Sequence, residues 1–496
     1  MNPMPAPRPG EAAPARREYF PRSYQDGITS FILDVPRCAV WASMGMGKGV
    51  ATLTALDAMF LAGDDHPALV LGPKRVARDV WPSEARKWKH LRQVNVLPIL
   101  GSEKERRISL KYDASVHSIN YEQLPWLVEY WGNRWPYRTV VSDESTRLKN
   151  YRGSIQEAND RHKEYVRGGG SMRARALGRI AHTHIRRFIE LTGTPAPNGL
   201  ANLWGQTWFL DAGARLGRTY EGFQQRWFGT DQYTRALTPH PFAEQQIHDA
   251  IRDICITFDA RDYFDIKDPL INNIYVKMPV KARQHYKEME NEMFTELEGR
   301  EVEAFGAAAR TQKLLQLANG AVYVNPDVTS DEQQIAREYK VAHDEKLDAL
   351  ESCLENANGM PQLVAYEFKS DLARILKRFP TQAADISTPE GEKRFRAGTL
   401  ALGCAHAKSM GHGVDGLQDV THITTMFGHN WDLELYDQLL GRTGSVRQIQ
   451  AGRDHVVPIV NNIIAEDTMD EVVIARRDNK RSIQDSLLEA MKRRKR

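Results

Sequence analysis

The sequence predicts an α/β chain of two lobes, each a parallel sheet flanked by helices, with a helical connector or protrusion between them. Three observations predict it. Short β-rich apolar runs alternate with helical stretches from about Tyr19 to Leu210, the same alternation returns after Lys346, and the stretch between, roughly Asp211 to His343, is polar and helical in composition. At 496 residues the chain has room for two or three domains of about 150 residues. The expected divisions are a flexible tail at 1–18, a first lobe at 19–210, the connector at 211–343, a second lobe at 344–480, and a helix end with a basic tail at 481–496.

In the first lobe, Cys38 to Ala42, Ala68 to Leu71, Thr139 to Ser142 and Phe188 to Thr192 are brief, apolar and followed by polar, Gly or Pro residues. Strands buried on both faces read this way. Val50, Leu53, Leu56 and Met59 recur at helical spacing between them. In the connector, Tyr286 to Leu317 is dense in Glu, Ala, Leu and Gln. In the second lobe the candidate strands are Leu363 to Phe368, Leu400 to His406, Ile423 to Phe427 and Val456 to Ile459. No fixed-period repeat is evident, which disfavours a solenoid.

Composition sets limits. Lys plus Arg (67) against Asp plus Glu (64) leaves a net charge of +3, which excludes the balance of a histone-like protein but permits a local basic patch. The four cysteines are scattered and never paired as Cys-x-x-Cys, so neither a disulfide framework nor a cysteine zinc site is expected, and a reducing compartment fits. Met1 to Arg17, rich in Pro and Ala, lacks the apolar core of a signal peptide. No run approaches the roughly 18 apolar residues of a membrane span. A cytoplasmic location, in a prokaryotic or phage-infected cell, is the expectation.

Ala42-Ser43-Met44-Gly45-Met46-Gly47-Lys48 follows an apolar strand and precedes an amphipathic helix. A phosphate loop needs that context. Glycines turn backbone N–H groups inward, the helix N-terminus adds positive potential, and Lys48 can reach β and γ phosphates. A Gly-rich turn with a surface lysine is the plainer alternative. The next residue should carry a hydroxyl for Mg²⁺, but it is Gly49. Thr52 lies one helical turn on, a poor place for direct substitution.

Asp143-Glu144 ends a strand, where ligands of open α/β sheets bind. Asp143 is placed to hold Mg²⁺ through water and Glu144 to polarise the attacking water; a helix N-cap cluster would have the same composition. Leu191-Thr192-Gly193-Thr194-Pro195 ends another strand with hydroxyls and a fixed turn, either a sensor of the phosphate site or simply a turn.

With these motifs in this order, the chain resembles a superfamily 2 helicase-like ATPase of the Swi/Snf type, especially the compact forms of bacteriophages. Tyr24-Gln25 is similar to the adenine-reading element, Ala42 to Lys48 to the first motif, Leu71-Gly72-Pro73-Lys74 to the next, and Asp143-Glu144 to the DEAD/DEAH position. Leu148-Lys149-Asn150, and the continuation of Thr192 to Asn198 into Leu203-Trp204 and Phe209-Leu210, favour the Swi/Snf branch. The likeness resumes at Lys346 to Leu350, at Ser409 to Leu417, and at Gly441-Arg442-Thr443-Gly444-Ser445-Val446-Arg447-Gln448, the arginine-finger motif. Ser445 stands where many relatives have a second arginine, which leaves Arg442 and Arg447 as alternative fingers.

The resemblance implies two RecA-like lobes holding ATP and Mg²⁺, with Gln25, Met44, Gly45, Met46, Gly47, Lys48 and Gly49 at the nucleotide and Thr192, Gly193, Thr194, Gly413 and Asp415 coupling its state to movement on DNA. It also implies nucleic-acid contacts near Lys74, Arg75, Asn120, Tyr121, Lys149 and Lys408. A basic stretch containing Arg152, Arg161, Lys163, Arg167, Arg173, Arg175, Arg179, Arg186 and Arg187 is either a further phosphate grip or a solvated helical face. Nothing resembles a base-reading module, so sequence-independent binding to duplex or single-stranded DNA is expected. Trp81, Tyr121 and Trp126 are candidate stacking residues, though core positions are the commoner use. The expected function is an ATP-dependent DNA helicase or translocase. A catalytically weakened nucleic-acid or partner-binding relative, and an RNA-directed helicase, are the alternatives. A small phosphate-binding kinase would leave the second-lobe motifs unexplained.

Overall fold

The computed structural model describes residues 15–64, 67–156, 165–167, 169–197, 199–230, 237–299, 304–324, 338–410 and 416–492. The chain divides into two compact units, one running to Tyr263 and taking in the chain from Lys480 onward, the other spanning Phe264–Asn479.

The first unit is a seven-stranded sheet. Its strands are β1 (Arg37–Ala42), β2 (Ala68–Gly72), β3 (Val96–Pro98), β4 (Val116–Asn120), β5 (Thr139–Asp143), β6 (Arg187–Thr192) and β7 (Cys255–Phe258). They lie in the order β7-β1-β6-β5-β2-β4-β3, with every neighbouring pair parallel. Helix α1 (Ser23–Asp34) precedes β1, and α2 (Lys48–Leu61) follows it, burying Val50, Leu53, Leu56 and Met59 as their spacing requires. Helices α3 (Trp81–Lys87) and α4 (Leu203–Asp211) complete the elements that frame the site. Trp204, Trp208, Phe209, Tyr151 and Phe188 pack into one core with Trp41, Leu69 and Val140 from the strands.

The second unit holds a six-stranded sheet. Its strands β8 (Leu270–Val276), β9 (Gln362–Tyr366), β10 (Ala383–Asp385), β11 (Leu402–His406), β12 (Ile423–Met426) and β13 (Ile459–Ala465) lie in the order β8-β13-β12-β9-β11-β10, all parallel. Successive residues of β9 serve opposite faces: Val364 and Tyr366 enter one apolar cluster, Leu363 and Ala365 the other. Helix α5 (Glu345–Asn356) carries Lys346, whose buried ammonium pairs with Asp470 at 2.6 Å and donates to Asn319 Oδ1 at 2.7 Å. A charge buried this deeply persists because its partners satisfy it, and removing one partner is strongly destabilising.

Three expectations need correction. The connector does not begin at Asp211, because Cys255–Phe258 pairs with β1 as an edge of the first sheet and Leu270–Val276 pairs with β13 as an edge of the second. Helices do occupy much of the remainder, at Val280–Gly299 and Ala304–Ala318. The last strand is Ile459–Ala465 rather than Val456 to Ile459, its asparagines Asn461 and Asn462 hiding the apolar run. Those asparagines are tolerated inside because they bond across strands, Asn461 to Thr425 and Asn462 to Asn273. The end of the expected flexible tail is docked: Arg16 donates to the carbonyls of Ala85 and Trp88, and Arg17 bridges Trp88. Residues 1–14 lie outside the described residues. Among the described residues, no helix is long and apolar enough to cross a membrane.

Candidate active site

Three loops meet at the C-terminal edge of the first sheet because parallel pairing aligns the ends of β1, β6 and β5. Trp41 pairs with Thr192, and Asp143 with Leu191. A glycine loop, an acidic pair and a hydroxyl turn, separated by as much as 150 residues of chain, are thereby made neighbours.

The glycine loop takes the turn its composition requires. Gly45 and Gly47 have φ of 84° and 75°, a region costly for any side chain. Gly47 is the N-cap of α2 and has no side chain with which to cap the helix. The left-handed turn at Gly47 favours glycine, and a Cβ there would also push aside the movable amide end of Gln25. Gln25 is held over the loop by the Arg22 N–H, which donates to Oε1 at 3.0 Å, and by its own donation to the Met46 carbonyl at 3.4 Å. Lys48 Nζ donates to the Ala42 carbonyl at 2.6 Å, folding the ammonium back toward the strand end. At Gly49 a Cβ would meet only Glu84 Cγ, at 3.9 Å, which is ordinary contact. Thr52 is completely buried, and its hydroxyl has no partner among the described residues, so it faces the core and not the loop.

The acidic pair is held on several sides. Asp143 Oδ2 accepts a hydrogen bond from Trp81 Nε1 at 2.8 Å. Burial pushes its carboxyl up from the ordinary range, while the Trp81 indole, the Lys48 ammonium and the Glu144 N–H pull it back. Lys48 and Asp143 are therefore within electrostatic reach. Glu144 adopts a left-handed backbone, φ 60° and ψ 59°, which is uncommon for a residue with a side chain. On one flank Tyr121 Oη donates to the Asp143 carbonyl at 2.9 Å; on the other, Ser145 Oγ donates to Gln206 Oε1 at 2.9 Å.

The hydroxyl turn closes the group. The Thr194 N–H donates to Thr192 Oγ1 at 3.0 Å, and a Cβ on Gly193 would lie 3.5 Å from both the Ala42 carbonyl and Met44 Cγ. This turn therefore abuts the glycine loop directly.

Several expected nucleic-acid contacts sit elsewhere. Tyr121 and Trp81 are buried at 0% and 1% exposure, so neither stacks on a base; their polar atoms serve the acidic loop instead. Asn120 is also buried and donates to Glu122. Arg106 covers the face of Trp126 at 4.3 Å. Within the basic stretch, Arg173 pairs with Glu122, Arg186 and Arg187 with Asp64, and Arg152 stacks on Tyr220. Lys74, Arg175, Arg179 and Lys408 are exposed, Arg75 and Lys149 half-buried. Arg161, Lys163, Gly413 and Asp415 lie outside the described residues.

In the second unit, Arg442 follows helix α6 (Leu433–Leu440), and Arg447 lies on α7 (Ser445–Gln450). Ser445, in the place of a second arginine, is buried and donates its hydroxyl to the Lys267 carbonyl, anchoring the start of α7. Near the end of β9, burial pushes the Glu367 carboxyl up to about 7, opposed by a hydrogen bond from Asn430 and by the Lys408 charge.

The profile of the SNF2-related domain matches residues 38–320. The chain belongs to the SNF2-related family. It is 47% identical over 484 residues to putative protein p41 of Acyrthosiphon pisum secondary endosymbiont phage 1, covering 96% of this chain and 100% of that one. It is 23% identical over 280 residues to the chromatin-remodeling ATPase INO80 of Sclerotinia sclerotiorum, a match that takes in 54% of this chain but 15% of that protein. The Sulfolobus solfataricus SWI2/SNF2 ATPase core solved in complex with dsDNA aligns with a TM-score of 0.41 at 18% identity, over 96% of this chain and 94% of that chain. The SNF2-related match covers the first sheet and runs on into the second unit as far as residue 320.

Sequence reasoning missed Gln206 and the role of Trp81. Neither belongs to a recognisable spacing pattern, and each is linked to its partner only across the fold.

Proposed function

We propose that this SNF2-family chain is an ATP-dependent translocase that couples hydrolysis to sequence-independent movement on DNA. The observation that supports it most is the convergence of Lys48, Asp143, Glu144 and the Thr192–Thr194 turn at one sheet edge. The left-handed glycines, the glycine-capped start of α2 and Lys48 fit a bound triphosphate, and Asp143 fits a metal held through water. Mg²⁺ there would neutralise charge on the β and γ phosphates.

The chain's own groups would do the rest. Gln25 binds the base beside the loop. Lys48 leaves the Ala42 carbonyl for the phosphates. Glu144 orients the water whose oxygen bonds to the γ phosphorus as the bond to the bridging oxygen of ADP breaks, and takes up its proton. Arg442 or Arg447 supplies charge to the transferring group, a contribution of about 10³ to 10⁵ in rate where such a finger acts. Thr192, Gly193 and Thr194, with Gly413 and Asp415, pass the change onward. Lys74, Arg75, Lys149, Arg173, Arg175 and Lys408 contact the phosphate backbone.

Gly49 favours a second reading, a helicase-like protein that binds nucleic acid but turns ATP over slowly. Steady-state ATPase assays with duplex DNA, single-stranded DNA or RNA at matched salt separate the readings. The translocase reading expects stimulation by DNA that Lys48→Ala abolishes. Stimulation by RNA alone would change the substrate, and none by any nucleic acid would remove the motor.

A further inference from the structure

We propose that Gln206, on α4, is a positioning residue that ties the acidic loop to the hydroxyl turn, so that Glu144 and Thr194 move together. The proposal rests on the ATPase reading of the site above. Gln206 is 3% exposed. Its Nε2 donates to the Pro195 carbonyl at 2.8 Å and to the Asn202 carbonyl at 3.1 Å, while its Oε1 accepts from Ser145 Oγ.

The orientation of this amide is dictated by its partners. Pro195 and Asn202 offer carbonyl oxygens, which only accept, so both protons of Nε2 are committed to them. Oε1 is left for Ser145, whose hydroxyl must donate. No flipped arrangement satisfies the same atoms. Pro195 directly follows Thr194, and Ser145 directly follows the left-handed Glu144. One side chain therefore holds the residue next to each reacting loop.

Its neighbour brings it close enough. A Cβ on Gly205 would lie 2.6 Å from the Lys149 carbonyl and 2.9 Å from that of Leu148. Glycine there lets α4 lie flush against the turn that follows Glu144. The uncommon backbone of Glu144 is then fixed between Tyr121 on one flank and Gln206 on the other. Such a fully satisfied buried network has one arrangement, so displacing the Pro195 turn displaces Ser145 with it.

The test compares Gln206→Leu, Ser145→Ala, Ser145→Thr and the double variant Gln206→Leu/Ser145→Ala. Readouts are the DNA-stimulated kcat and KM for ATP, and the Kd for a fluorescent ADP. Gln206→Leu and Ser145→Ala each lower kcat on the order of 10-fold, with KM and the ADP Kd within about twofold. Ser145→Thr, which keeps the hydroxyl, retains native kcat. The double variant is no slower than the slower single one, as expected of two ends of one link. If Gln206→Leu does not fold, the two Ser145 variants carry the same contrast. A stimulated native enzyme with unchanged variants, multiplicative losses in the double variant, or ADP affinity lost in parallel would each overturn the positioning role alone. A native chain without ATPase activity would overturn the motor reading and this role together.

Discussion

Trp81 Nε1 donates to Asp143 Oδ2 at 2.8 Å, so a residue from a helix with no obvious motif orients the carboxylate that we propose holds the metal. The Trp81 ring is 1% exposed and fills the core with its apolar body while its single donor reaches the site.

Trp81→Phe keeps most of the ring and deletes that donor. It should cost about 2 kcal/mol, since hydrogen bonds to charged groups contribute more than neutral ones. Urea unfolding measures the loss, and an ATPase titration should show half-maximal activity at higher Mg²⁺. Unchanged midpoints in both would remove the indole's orienting role.

Gly49→Thr should raise DNA-stimulated ATPase activity. The Cβ has room, 3.9 Å from Glu84 Cγ, and the added hydroxyl would offer the proposed Mg²⁺ the ligand that phosphate loops commonly provide at this place. Steady-state rates at saturating ATP check this, with Lys48→Ala as the inactive control. A rate no higher than native would mean that Gly49 is not what limits turnover.

Gly47→Ala should fail in the opposite way. With φ of 75° the alanine costs about 1 to 2 kcal/mol, and its methyl displaces Gln25 Nε2. Fluorescent ADP binding should be lost, while circular dichroism shows the fold retained. Native affinity in the variant would contradict the geometry of the loop.

Acid should weaken the first unit through His117. Burial lowers this imidazole from 6.5 to about 4, and its Nδ1 is bonded to Tyr137 Oη at 2.8 Å. Below pH 6.5 the unfolded chain takes up a proton that the folded one refuses until about pH 4, so this site's contribution to stability falls as pH drops through that window. The loss is on the order of 3 kcal/mol across the window. Compared by urea unfolding, His117→Gln should be less stable than native at pH 7 and should narrow the gap as the pH approaches 4. A gap independent of pH would refute the assignment.

The amino-acid sequence by itself determined the two α/β lobes and the glycine, acidic and hydroxyl loops, for a local reason. A buried parallel strand is a continuous apolar run, and a phosphate loop is a few consecutive residues between strand and helix, so both are written within short windows. β13 escaped that reading because Asn461 and Asn462 break its apolar run and find their side-chain hydrogen bonds on other strands. Strand order belongs to the same class of unread facts. Cys255–Phe258 and Leu270–Val276 look like connector until β1 and β13 pair with them. Only the tertiary structure decided that Trp81 serves Asp143, that Tyr121 is buried beneath the acidic loop, that Ser445 anchors a helix, and that Gln206 links Ser145 to Pro195. Each of these is a contact between distant segments, and its partner is chosen by how strands and helices pack, which no local spacing records.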